Sequence, residues 1–236
     1  KGVWDMSELR WHPLRQEWVI TATHRMDRTY KPPRDFCPLC PTRPGAFPGE
    51  VPAEDYEIVV FQNKFPSLQP QPPEPDVIGT EVCPVDLAKG ECEVVLYSPR
   101  HDGTLAQESI RHIRNLIRVW KDRYQELGSR EEIQYVLIFE NKGEAVGVTL
   151  HHPHGQIYAF PFIPPVQEQE LQALVKHREK TERCLICDIV DGEKDDGRRV
   201  VAESKHFLAV IPFYARYPYE VHIFAKEHKE SLAVLD

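Results

Sequence analysis

His151-His152-Pro153-His154-Gly155-Gln156, running on into Ile157-Tyr158-Ala159-Phe160, is the stretch on which the reading of this chain turns. Side chains two apart on a strand share a face. His152, His154 and Gln156 then line one side and His151 the other. Pro153 cannot donate to a sheet ladder, which makes this a strand entrance, an edge or a bulge. Gly155, with no side chain, is expected to let a substrate lie close to the backbone. Three histidines in four positions argue against a merely solvated polar cluster. Two readings remain open: both His152 and His154 bind one metal, or one is a ligand and the other a nucleophile.

Around this stretch the chain reads as strands with few helices. Trp18 to Ala22, Tyr56 to Asn63, Glu93 to Ser98, Ile133 to Glu140, Gln156 to Phe160, Phe207 to Pro212 and Tyr219 to Ala225 carry strand signals. One amphipathic helix is expected from Leu105 to Leu127. Ile110, Ile113, Leu116, Ile117, Trp120 and Tyr124 recur there at three- and four-residue spacing, and Gly128 ends it. A second, charged helix is expected from Pro164 to about Arg183. Strands clustered around two helices, without βαβ alternation, predict an α+β fold with an antiparallel sheet. No glycine-rich phosphate loop is seen. Many of the 21 prolines fall between Pro32 and Pro84, which predicts long ordered loops there.

The 236 residues allow one large domain or two small ones. Lys and Arg number 29 against 37 Asp and Glu, a net charge of −8, which argues against a nucleic-acid partner. A small anionic substrate needs only a few placed arginines. No apolar run is long enough to span a bilayer, and no secretion signal opens the sequence, so no membrane partner and a cytoplasmic location are expected.

Four of the six cysteines fall in two pairs, Cys37-x-x-Cys40 and Cys184-x-x-Cys187. In a cytosolic chain such pairs point to metal before disulfides, and with 11 histidines zinc leads. Cys37 and Cys40 need two further ligands. His101 and one residue of the His-Pro-His group are the natural candidates. A weak internal repeat is also visible. In each half a Cys-x-x-Cys pair precedes a strand, and a second strand ends shortly before a histidine, His101 or His228. Residues 1–165 are therefore expected to form a first unit. Residues 166–236 are expected to hold a linker helix and the start of a second, incomplete unit.

Several pieces in order carry a resemblance: His24-Arg25-x-x-Arg28, Cys37-x-x-Cys40, Asn63-x-Phe65-Pro66, Ser98-Pro99-x-His101, Glu140-Asn141-Lys142-Gly143 and His152-Pro153-His154-Gly155-Gln156. The chain resembles the galactose-1-phosphate uridylyltransferase family of the histidine-triad superfamily, over essentially its whole length. The resemblance implies a ping-pong exchange of UMP between UDP-glucose and galactose 1-phosphate, giving UDP-galactose, through a covalent uridylyl-histidine. It implies His154 as the nucleophile and Gln156 as a donor to a phosphoryl oxygen. It implies Cys37, Cys40, His101 and His152 as ligands of a structural zinc. Arg25 and Arg28 are implied as diphosphate contacts, Asn63 as a uridine or ribose contact, and Asn141 and Thr149 as phosphate contacts. A homodimer is implied as well.

There are departures. Lys64 stands where many relatives have aspartate. Glu170 aligns with a ligand of a second metal in some relatives. Cys184, Cys187 and His228 mimic the first half-site and are expected to hold a second structural zinc. Two rival functions remain: transfer of AMP from ADP-glucose, and a nonenzymatic zinc-braced nucleotide-binding module.

Overall fold

Strand β5 (Glu91–Leu96) is buried along its whole length, and the first part of the chain is organised around it. The computed structural model describes residues 7–22, 36–45, 48–146, 148 and 150–235. The chain divides into two compact units, Lys1–Pro164 and Pro165–Asp236.

In the first unit a hairpin, β1 (Ser7–His12) and β2 (Glu17–Ala22), is joined by β4 (Val85–Leu87) in the order β2-β1-β4. The second sheet runs β3-β5-β7-β6, with β3 at Val59–Gln62, β6 at Tyr135–Phe139 and β7 at His154–Phe160. All pairings between these strands are antiparallel. β7 lies between β5 and β6, so its backbone groups are tied on both sides and its position is rigid.

Alternation gives the sheet two covered faces. Val95, Ile157, Ala159 and Val136 pack with Tyr97, Leu116 and Leu127 on the side of helix α1 (Ile110–Gly128). Cys92, Tyr158 and Phe160 pack with Leu9, Leu68 and Ala88 on the other. Full burial of an aliphatic side chain such as Leu116 contributes about 2 kcal/mol. Two covered faces explain why Ile157-Tyr158-Ala159-Phe160 is apolar without a break. The proline-rich segment is ordered by the same packing, since Leu68 is wholly buried and Gln69 pairs with Lys89.

Helix α1 starts later than the spacing predicts. Residues 105–107 form a separate turn, and the Ser109 side chain caps the helix by accepting from the His112 N–H. Ile110 is 72% exposed and Ile117 41% exposed. A 3.6-residue turn carries both to the margin of the stripe that Leu116, Trp120 and Leu127 centre.

In the second unit α2 (Pro165–Thr181) and α3 (Leu185–Asp196) precede a three-stranded antiparallel sheet in the order β10-β9-β8. Its strands are β8 (Val200–Glu203), β9 (Phe207–Val210) and β10 (His222–Ala225). Val190, Leu208 and Val210 form its core. Among the described residues no helix is long and apolar enough to cross a membrane.

Candidate functional site

The Cys37–Cys40 segment is a tight knuckle in which the Cys40 N–H meets the Cys37 carbonyl at 3.3 Å. Its backbone is held from one side. The Glu50 N–H donates to the Pro38 carbonyl at 2.7 Å, and Thr42 bridges the Val51 carbonyl and the Gly49 N–H. A side chain at Gly49 would lie 2.5 Å from the Pro38 oxygen, so only glycine fits. Leu39 and Val51 then bury against Val94 and Leu96 of β5 and its neighbourhood.

His152 enters this corner from the start of β7 and is 1% exposed. Its Nε2–H donates to the Ser98 carbonyl at 2.8 Å, with the Tyr56 hydroxyl 3.0 Å away. The Tyr56 hydroxyl itself donates to the Leu39 carbonyl. With Nε2 protonated, Nδ1 carries the free lone pair, and it points at the Cys40 sulfur. Burial holds the imidazole below its ordinary pKa, which keeps that lone pair bare. His101 brings its own Nδ1 to the same sulfur.

The fit to a metal ion can be tested by distance. Bonds of about 2.3 Å to sulfur and about 2.05 Å to nitrogen, at the tetrahedral angle, put S and N about 3.6 Å apart. Cys40 Sγ lies 3.5 Å from His101 Nδ1 and 3.6 Å from His152 Nδ1. The four donor atoms of Cys37, Cys40, His101 and His152 all lie within 4.8 Å of one another. The chemistry agrees: burial, then the neighbouring Cys37, pushes the Cys40 thiol up to about 11. Two thiolates cannot share this corner without a cation, and a bound cation reverses that penalty. These residues fit a tetrahedral ion with zinc's bond lengths.

His154 is the first residue of β7 and pairs with Leu96. Its Nδ1–H donates to the His152 carbonyl at 2.7 Å. That bond fixes the tautomer and leaves Nε2 with a free lone pair. His152 lies with the cysteines and His101, and His154 is not one of these gathered donors. Gln156 follows on the same face, opposite Val94 and Phe139. It makes no side-chain hydrogen bond among the described residues.

Gly155 differs from its expected role. It faces the α1 side, and a side chain there would collide with the Tyr97 hydroxyl and crowd the Phe139 carbonyl. The residue makes room for Tyr97, not for a substrate. Tyr97 also braces the motif, its N–H meeting the Pro153 carbonyl at 3.3 Å.

Asn63 follows the end of β3 and is nearly buried. Its N–H donates to the Cys92 carbonyl and its Oδ1 accepts from the Phe65 N–H, leaving the Nδ2 hydrogens. Lys64 pairs with Glu50 at 3.2 Å. Asn141 is exposed and lies two residues past Phe139, the last residue of β6. Arg25, Arg28 and Thr149 lie outside the described residues.

Tyr56, Ser98 and Tyr97 were not singled out for roles in the sequence. Their partners lie 96 and 54 residues away along the chain for the first two, a distance that no local pattern spans. In the second unit Cys184, Cys187 and His228 converge, with donor atoms within 4.8 Å. Cys184 stands at the N-cap position of α3; burial opposes its ionisation, but the backbone N–H groups of Cys187 and Ile186 beside it bring it below its ordinary range.

A family described as galactose-1-phosphate uridyl transferase, N-terminal domain, matches residues 3–164. The galactose-1-phosphate uridylyltransferase of Thermotoga maritima is 42% identical over 229 residues, 96% of this chain and 69% of that protein. That of Streptomyces lividans is 38% identical over 230 residues, 98% of this chain and 59% of that protein. Among solved structures, a uridylyltransferase superposes with a TM-score of 0.84 at 31% identity, covering 97% of this chain and 69% of the other. An ADP-glucose phosphorylase from Arabidopsis thaliana does so with 0.67 at 26% identity, covering 98% and 71%. The chain thus spans about three-fifths to two-thirds of the length of these two curated relatives.

Proposed function

This chain belongs to the galactose-1-phosphate uridylyltransferase family, and from that premise we propose that it exchanges UMP between UDP-glucose and galactose 1-phosphate through a uridylyl group on His154. The observation that carries the proposal is the 2.7 Å bond from His154 Nδ1 to the His152 carbonyl. With the proton on Nδ1, the lone pair for attack sits on Nε2. Nε2 attacks the α-phosphorus of UDP-glucose; the N–P bond forms as the bond to the bridging oxygen breaks, and glucose 1-phosphate leaves with the electron pair. The imidazole becomes cationic, and the His152 carbonyl accepting from Nδ1 stabilises it. Galactose 1-phosphate then attacks the same phosphorus and takes the UMP, so a difficult exchange becomes two reversible halves.

Gln156 donates to a non-bridging oxygen as charge gathers there, an interaction that grows toward the transition state. It cannot relay a proton, which favours transfer between phosphates over hydrolysis. Arg25 and Arg28 hold the diphosphate, a task suited to guanidinium forks. Asn63 contacts uridine or ribose, and Asn141 and Thr149 contact phosphate. Lys64 and its partner Glu50 stand beside Asn63, where many relatives have an aspartate.

Cys37, Cys40, His101 and His152 would hold a zinc ion. With four protein donors it has no open position, so its contribution is to brace the knuckle against the strand that presents His154. Galactose metabolism, a cytoplasmic location and a homodimer complete the reading; the net charge of −8 supports the absence of a nucleic-acid partner.

Transfer of AMP is the second reading, supported by the likeness to the ADP-glucose phosphorylase; the greater likeness to the uridylyltransferase favours UMP. The test is incubation with UDP-glucose or ADP-glucose radiolabelled in the α-phosphate, followed by denaturation. UDP-glucose is expected to label the protein, and His154→Ala to abolish the label with zinc content unchanged. Label surviving in His154→Ala refutes the assignment. Stronger labelling by ADP-glucose selects the second reading, and no labelling by either selects a nonenzymatic module.

A further inference from the structure

Both chain neighbours of His154 are held by one residue, Tyr97. Leu96, the last residue of β5, pairs with His154, and Tyr97 follows it. The Tyr97 N–H donates to the Pro153 carbonyl at 3.3 Å, which fixes the residue before His154. The Tyr97 hydroxyl lies against Gly155, the residue after His154, so closely that no methyl fits between them. A backbone bond and a phenol ring thus bear on the chain on either side of the histidine.

Tyr97 is itself locked. It is 2% exposed, its ring stands edge-on to Trp120, and the His112 Nε2–H of helix α1 donates to its carbonyl at 2.5 Å. Its hydroxyl donates to the carboxylate of Glu140, one residue past the end of β6. Burial, then that carboxylate, pushes the phenol above its ordinary pKa, so the proton stays on the oxygen and the hydrogen bond persists. Phenylalanine would fill the same space and keep the packing. What the hydroxyl adds is a tie from beneath Gly155 to the segment that carries Glu140 and Asn141.

We infer that Tyr97 is a positioning residue for the transfer: tied to Glu140, it holds the backbone on both sides of His154, so that the imidazole keeps its bond to the His152 carbonyl and presents Nε2 at one place. The inference rests on the reading of His154 as the nucleophile. The test compares Tyr97→Phe, Glu140→Ala and Glu140→Gln with wild type, in the rate at which UDP-glucose labels His154, in KM, in Tm and in nitrogen-15 NMR of the histidine rings. Tyr97→Phe and Glu140→Ala are expected to lower the maximal labelling rate about tenfold, with little change in KM or Tm, since misplacing a reacting group by about 1 Å can cost about a hundredfold. Glu140→Gln still accepts from the hydroxyl and is expected to keep most of the rate. A merely structural role would lower Tm and leave the rate of the folded protein alone. In the NMR spectra His154 is expected as the Nδ1–H tautomer in wild type and Glu140→Gln, and as a mixture of tautomers in Tyr97→Phe and Glu140→Ala. Wild-type labelling rates in Tyr97→Phe and Glu140→Ala overturn the inference, as does a Glu140→Gln protein as slow as Glu140→Ala. Should UDP-glucose not label the wild type, the nucleophile reading fails by itself and the NMR decides the positioning role: an unchanged His154 tautomer in both damaging variants overturns it.

Discussion

Replacing Gly155 by alanine separates two accounts of the His-Pro-His-Gly-Gln motif. The added methyl would overlap the Tyr97 hydroxyl, lie 3.0 Å from Tyr97 Cζ and lie 3.1 Å from the Phe139 carbonyl oxygen. None of these can yield easily. β7 is hydrogen-bonded on both sides, and Tyr97 is 2% exposed and packed edge-on against Trp120. Overpacking at such a site costs toward the upper end of the usual range, about 3 kcal/mol. In a chain of this size that lowers Tm by roughly 6–12 °C. Urea unfolding and a thermal scan measure the loss, and uridylylation of His154 measures the displacement of the motif. Tyr97→Phe removes the worst overlap, so Gly155→Ala combined with Tyr97→Phe is expected to recover a large part of the stability lost by Gly155→Ala alone. A Gly155→Ala protein as stable as wild type, with only its KM for UDP-glucose raised, would refute the packing account. The glycine would then serve substrate approach after all.

Three other outcomes follow from the structure. Arg123 forms a forked pair with nearly buried Glu93 at 2.6 and 2.9 Å, so Arg123→Met strands a carboxylate and is expected to cost about 3 kcal/mol, with Arg123→Met/Glu93→Gln less harmful, both read by urea midpoint. Tyr56→Phe removes the hydroxyl beside His152 Nε2 while Ser98 still holds that proton, so metal affinity in chelator competition is expected to fall about tenfold; an unchanged affinity refutes the bracing role of Tyr56. In the metal-free protein Cys40 is pushed up to about 11 from 9.0. The folded state therefore holds a proton that the unfolded chain releases, and stability is expected to fall as pH rises from about 9 toward 11. The metal-loaded protein has already lost that proton, so its stability is expected to stay flat over the same window, as followed by denaturant titration at each pH.

The sheet that presents the site was legible because its pattern is local. Strands β3, β5, β6, β7, β9 and β10 each announced themselves by apolar runs, and the paired cysteines by spacing. Strand β1 was missed because its hairpin turns on Gln16, at φ 55, where a glycine would have signalled the turn. Helix α3 was missed because Asp188, Asp191 and Gly192 interrupt any apolar stripe, and because the cysteines drew the reading to metal. Strands β4 and β8 are only three and four residues long and depend on their neighbours. At the site, residue types and spacing yielded the metal-ligating set and the free histidine as candidates. The proposed division of labour between His152 and His154 did not follow from spacing. It rests on which backbone carbonyl each ring meets, Ser98 for one and His152 itself for the other. The function of Gly155 was misread for a related reason: the side chain that needs its space, Tyr97, belongs to a segment 58 residues earlier.

The central claim is that His154 Nε2 becomes covalently bonded to UMP. Brief incubation with UDP-glucose, alkaline quenching, proteolysis and tandem mass spectrometry test it most directly. The account predicts one UMP on the peptide carrying His152-Pro153-His154, with fragmentation locating it on His154, and its removal on addition of galactose 1-phosphate. UMP located on His151 or on any residue other than His154, or an adduct that galactose 1-phosphate does not discharge, would contradict it.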